Sequence, residues 1–124
     1  MPKTVLSVDD SKSIRDMIGF TLEPKGYTVI GAGDGVEGLE ALASNAVSLV
    51  VCDLNMPNMN GIEMIRKVRE DQRFDGIPIV MLTTEAQKEK MMEAKEAGAT
   101  GWLVKPFDEA KLVAVVNKMI GSAQ

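Results

Sequence analysis

The sequence predicts an α/β domain, doubly wound around one central parallel five-stranded sheet, and three observations lead there. Apolar runs alternate about five times with amphipathic segments, the pattern of strands joined by right-handed helical crossovers. Two of the runs, Leu49-Val50-Val51-Cys52 and Ile79-Val80-Met81-Leu82, are continuously apolar, as strands covered on both faces are. The runs end on Asp9-Asp10, Asp53, Thr83-Thr84 and Lys105, which puts reactive side chains where open parallel sheets bind ligands.

Each element has its own signal. Thr4-Val5-Leu6-Ser7-Val8 is a β-branched-rich strand, and Ile14, Met17, Ile18 and Leu22 mark the helix after Asp9-Asp10-Ser11, closed by Pro24 and Gly26. Tyr27-Thr28-Val29-Ile30 is the second strand. Gly31, Gly33 and Gly35 punctuate the turn after it, and Asp34 is placed to cap a helix marked by Val36, Leu39 and Leu42 that ends near Asn45. Asp53 ends the third strand, and the turn formers Asn55, Pro57, Asn58, Asn60 and Gly61 present it at a rim, not in a core. Ile62, Ile65 and Val68, with Arg66, Lys67 and Arg69 on the other side, mark the third helix, and Gln72 to Gly76 reads as polar loop.

The fourth strand, Ile77-Pro78-Ile79-Val80-Met81-Leu82, carries Pro78 near its start, where a missing N–H is tolerable. Thr84-Glu85-Ala86-Gln87 fits a capping box for a helix that reaches Ala97 and stops at Gly98. Gly101-Trp102-Leu103-Val104 is the last strand, and Asp108 caps a final helix with Leu112, Val115, Val116 and Met119 on one face.

At 124 residues the chain is expected to be a single domain over 1–124. One cysteine allows no internal disulfide, and Cys52 reads as a small buried apolar residue. With no apolar run of membrane-spanning length and no secretory leader, the expected protein is a cytoplasmic monomer with no membrane partner. A net charge of −4 argues against a nucleic-acid partner. The absence of histidine removes His-based triads and His metal ligands, so a metal site would be built of oxygens and suit Mg²⁺, Mn²⁺ or Ca²⁺ over zinc.

Asp9, Asp10 and Asp53 brought to one edge repel, and a hard divalent ion, Mg²⁺ above all, resolves the conflict, with a backbone carbonyl just past Asp53 as a further oxygen. The carboxylate of Asp53 can also act as a nucleophile towards phosphorus. Transfer then depends on neutralising the phosphoryl oxygens, a task suited to the metal, the Lys105 ammonium and the Thr83 hydroxyl.

Four motifs, Val5-Leu6-Ser7-Val8-Asp9-Asp10, Asp53 through Gly61, Leu82-Thr83 and Val104-Lys105-Pro106-Phe107, stand in an order and spacing that is very specific as a set. Through them essentially the whole chain resembles the receiver domains of two-component response regulators, in particular stand-alone CheY-like ones. The resemblance implies a flavodoxin-like (βα)5 sandwich with Asp53 as phosphoacceptor, loaded by a sensor histidine kinase or by a small phosphodonor such as acetyl phosphate. It implies that Asp10, Asp53 and the main-chain carbonyl of Asn55 ligate Mg²⁺ (or Mn²⁺), that Asp9 holds a metal-bound water, and that Thr83 and Lys105 contact the phosphoryl group. It further implies a cis Lys105-Pro106 peptide and a switch made by Thr83 and Trp102, which reshapes the surface of the fourth helix, fifth strand and fifth helix. Asn55, Thr84 and Glu85 then modulate rates; Thr84 stands where a small residue is usual, and Trp102 where Tyr or Phe is commoner. The chain ends soon after the fifth helix, so output is expected by docking on a separate protein, and the only chemistry catalysed is its own phosphorylation and dephosphorylation.

Other functions fit less well. A Mg²⁺-dependent aspartyl-phosphate phosphatase needs a second carboxylate close after the nucleophile, where Asn55 stands. A flavodoxin-like electron carrier needs a hydroxyl-rich phosphate loop after the first strand, and Asp9-Asp10 would repel a flavin phosphate there. A phosphorelay intermediate or phosphate sink shares every motif with a chemotaxis-type switch. Taken singly, Asp9-Asp10 could be a helix start, Thr83 a strand-end hydroxyl, Lys105 a surface lysine and Trp102 plain packing.

Overall fold

The computed structural model describes residues 3–84 and 88–121. Strands β1 (Thr4–Val8), β2 (Thr28–Ala32), β3 (Leu49–Asp53), β4 (Ile79–Thr84) and β5 (Gly101–Lys105) alternate with helices α1 (Lys12–Leu22), α2 (Gly35–Ser44), α3 (Gly61–Glu70), α4 (Lys88–Ala97) and α5 (Glu109–Ile120). The strands form one parallel sheet in the order β2-β1-β3-β4-β5. The order reverses between β1 and β3, so their carboxyl ends flank the crevice where such folds place ligands.

Side-chain alternation splits the core into two layers. Leu6 and Val8 of β1, with Val50 and Cys52 of β3, pack in the layer that holds Leu42 of α2, Ile65 of α3 and Ala94 of α4. Val5, Leu49 and Val51 face the other way, among Ile18 and Leu22 of α1 and Leu112 and Val116 of α5. Both faces of the sheet are therefore dry, which accounts for the unbroken apolar runs in β3 and β4.

The helix starts follow local chemistry. Asp34 and Asp108 cap α2 and α5 as expected, accepting from the backbone N–H of Glu37 at 2.9 Å and of Lys111 at 2.8 Å. Ser11 caps α1, and Asn60 with Glu63 closes a full capping box on α3. Gly61 opens α3 flush against the end of β3, where a Cβ would run into the Asp53 carbonyl oxygen and stand 2.7 Å from Met81 Cε.

Three expectations need correction. The segment after α3 is not a plain polar loop: Gln72–Phe74 makes a 3-10 turn, held at Asp71, that buries Phe74 in the core. Tyr27 precedes β2 instead of opening it, and its hydroxyl reaches Asn117 Oδ1 at 3.0 Å and the Gly121 carbonyl at 2.8 Å. Ile77 and Pro78 likewise lie outside β4. The expected capping box at Thr84 to Gln87 falls largely outside the described residues. Among the described residues, no helix is long and apolar enough to cross a membrane.

Candidate functional site at the carboxyl edge of the sheet

Because β1 and β3 are neighbours in register, with Val8 opposite Cys52, the residues that follow them meet. Asp9, Asp10 and Asp53 each offer a carboxylate oxygen, and these atoms lie within 4.8 Å of one another. Asp9 is wholly buried, Asp10 exposed, and Asp53 only 7% exposed. Asp53 is thus more enclosed than a rim residue.

Lys105, at the end of β5, crosses β4 to reach both buried carboxylates. Its Nζ lies 3.2 Å from Asp9 Oδ2 and 3.1 Å from Asp53 Oδ1. The backbone holds the other contacts: the Ser11 N–H donates to Asp9 Oδ1 at 2.8 Å and the Leu54 N–H to Asp53 Oδ1 at 3.0 Å. Arg15 of α1 donates to the Asp9 carbonyl, fixing the turn that carries Asp9 and Asp10. The Lys105–Pro106 peptide is cis.

Three carboxylates against one ammonium leave the cluster negative. Burial, and then the charge of Asp9, push the Asp53 carboxyl above its ordinary value, although Lys105 and the Leu54 N–H pull the other way. Burial alone would depress the Lys105 ammonium; Asp53 and Asp9 outweigh it and hold the amine above its usual range. Burial, with the same two carboxylates, pushes the Cys52 thiol up, so Cys52 is an inert core residue.

Thr83 stands one residue beyond Leu82, the register partner of Asp53, and its buried Oγ1 has no hydrogen-bond partner among the described residues. An orphan hydroxyl costs about 1–3 kcal/mol, a cost that a ligand oxygen at the cluster would remove. Thr83→Val keeps the shape and deletes the orphan, and it is expected to stabilise the ligand-free protein by about 1 kcal/mol, read as a higher urea midpoint. Chemical denaturation of the two proteins checks this.

The remaining predicted positions are more dispersed. Thr84 is half-buried and pairs in register with Lys105. Trp102 lies on β5 and is 39% exposed, outside the core. Asn55 is exposed in the loop after β3, and Glu85 lies outside the described residues. Sequence reasoning missed Arg15 and a tie between Asp34 and Asn58, whose Nδ2 donates to Asp34 Oδ2 at 2.7 Å. It also missed an apolar hollow of about 360 Å³ beside Lys105, walled by Ile14, Met17 and Phe107. A larger cavity of about 760 Å³ lies at the opposite edge, by Pro78 and Thr100, away from the acidic cluster.

A family model for the response regulator receiver domain matches residues 5–117. The chain belongs to this family. Chemotaxis protein CheY1 of Helicobacter pylori is 42% identical over 120 residues, which cover 95% of this chain and 97% of that protein. The CheY homolog of Campylobacter jejuni is 38% identical over 95% of this chain and 92% of its own length. The solved structure of the chemotaxis response regulator CheY4 of Vibrio cholerae superimposes with a TM-score of 0.91 at 43% identity, covering 96% of this chain and 99% of that one.

The fold of this receiver is therefore the flavodoxin-like one expected. Receiver domains are phosphoacceptor signalling proteins that bind Mg²⁺ at an acidic pocket, and the residues here fit that ion. The donors are all oxygens, the cluster carries excess negative charge, and a divalent cation would offset the repulsion that burial imposes on Asp53.

Proposed function

We propose that this receiver accepts a phosphoryl group on Asp53, from a sensor histidine kinase or an acyl phosphate, and responds by changing the surface it presents to a separate output protein. The observation that carries the proposal is the enclosed Asp53 carboxylate, paired with Lys105, at the end of a strand whose neighbour β4 carries the Thr83 hydroxyl, buried and without a partner among the described residues. Asp10, Asp53 and the Asn55 carbonyl would hold Mg²⁺, with Asp9 acting through a water. The ion supplies charge neutralisation at the phosphoryl oxygens when bound.

In this reading an oxygen of Asp53 forms its bond to phosphorus as the P–N bond of phosphohistidine, or the P–O bond of the acyl phosphate, breaks. Lys105 exchanges its contact with the Asp53 carboxylate for one with a phosphoryl oxygen, and Thr83 donates to another. Drawing the Thr83 hydroxyl in shifts β4 against β5, and Trp102 on β5 reports the change to the face made by α4, β5 and α5. Asn55, just after β3, and Thr84, at the end of β4, set how fast the phosphoryl group is lost, and Glu85 is assigned to the same rate-setting role from its place in the sequence. The likeness to chemotaxis proteins supports a chemotaxis-type role for this receiver in the cytoplasm, and the acidic net charge supports an output that is not nucleic acid.

Trp102 is the only tryptophan and so a single reporter. Titration with Mg²⁺ and then with acetyl phosphate or beryllofluoride is expected to give two saturable fluorescence changes. Silence at both steps, with no phosphoryl mass increment on the intact protein, would overturn the proposal.

A further inference from the structure

We infer that Asp34 and Asn58 form a positioning pair that holds the loop between β3 and α3 in the shape its cation-binding carbonyl requires; this rests on the proposed Mg²⁺ site. The loop is closed at its base by the Gly61 N–H donating to the Leu54 carbonyl at 2.9 Å. Within it, the Met59 N–H donates to the Pro57 carbonyl at 2.7 Å, and Asn58 between them has φ +66°. A three-residue turn with positive φ at its centre is the rarer and strained γ-turn, and Asn is among the residues that tolerate it best. Such strain persists only where neighbouring structure over-determines it, and it concentrates at functional sites.

Asp34 supplies that constraint. Its Oδ1 is engaged at the start of α2 by the Glu37 N–H at 2.9 Å, and its Oδ2 accepts from Asn58 Nδ2 at 2.7 Å, so one shielded carboxylate ties the β2–α2 turn to the β3–α3 loop. The next residue locks the same junction sterically: a Cβ on Gly35 would stand 2.8 Å from Met59 Cγ. Asn58 follows Asn55 by one short turn, so a loop held at Asn58 presents the Asn55 carbonyl without further ordering, whereas a released loop must be ordered when the ion binds. Neither Asp34 nor Asn58 belongs to the acidic cluster itself, and their effect runs through the loop.

The test is calorimetric titration of Mg²⁺ into the full chain carrying Asp34→Ser, Asn58→Gly or both. Serine still caps α2, and glycine still accepts the positive φ, so each variant removes the tie with little else. Each single change is expected to raise the Kd for Mg²⁺ about tenfold, the low end for groups that orient metal ligands, and the double variant no further. Asn58→Gly leaves the α2 cap intact and decides the matter alone if Asp34→Ser does not fold. Values within about twofold of wild type, or a double variant whose loss multiplies the two single losses, overturn the positioning role while the receiver reading stands. A wild-type chain that binds no Mg²⁺ sinks the site and the pair together.

Discussion

Asp53→Asn is expected to abolish phosphoryl uptake while making the ligand-free protein more stable. The amide lacks the nucleophilic carboxylate, so intact-mass measurement after exposure to acetyl phosphate should show no increment where wild type shows one. The stability effect follows from burial first and from Asp9 second, which together raise the Asp53 carboxyl above its ordinary value. A folded state that holds a proton more tightly than the unfolded one gains stability as pH falls through the raised value. It bears a cost at neutral pH, where the group is ionised. Asparagine removes that cost, and Lys105 keeps Asp9 as its partner. The urea midpoint should therefore be higher for Asp53→Asn at neutral pH, and the gap should close as the solution is acidified into the carboxylate range. Undiminished labelling of the variant would refute Asp53 as acceptor.

Lys105→Ala should produce the opposite stability effect. Its ammonium is the one cation within salt-bridge reach of two buried carboxylates among the described residues, and removing one partner of a buried ion pair costs about 3–5 kcal/mol. Lys105 retains some exposure, which favours the low end, about 3 kcal/mol at neutral pH. Without the ammonium the Asp53 carboxyl rises further, so the deficit should shrink as pH falls through that value. Millimolar Mg²⁺ should recover part of it, because a cation bound only to the folded state stabilises by mass action. Phosphorylation should slow about a hundredfold, the scale for losing one preorganised contact to developing charge. Equal urea midpoints for variant and wild type, with or without Mg²⁺, would show that the pair contributes nothing.

Much of the architecture was legible because its causes are local. The strand of Leu49 to Asp53 reads as buried because every residue of the run is apolar until the carboxylate, and Asp34 and Asp108 read as caps because a short acidic side chain before an amphipathic run satisfies free N–H groups. Phe74 was misread because its neighbours, Gln72, Arg73 and Asp75, are polar; a lone aromatic in such a stretch gives no period to detect. Tyr27 was placed in β2 on β-propensity, but its hydroxyl partners lie on the far end of α5, which no local rule anticipates.

By itself the sequence determined the alternation of elements, the strand ends on which the reactive side chains sit, and, through four spaced motifs, the family. Only the tertiary structure decided how those ends meet. Lys105 joins carboxylates 96 and 52 positions away, Asp53 becomes an enclosed group and not a rim residue, and Asp34 fastens a loop 24 residues distant. Periodicity, capping and turn chemistry act within a few residues. Which strands become neighbours, and so which charges share a desolvated space, is set by burying both faces of the sheet at once.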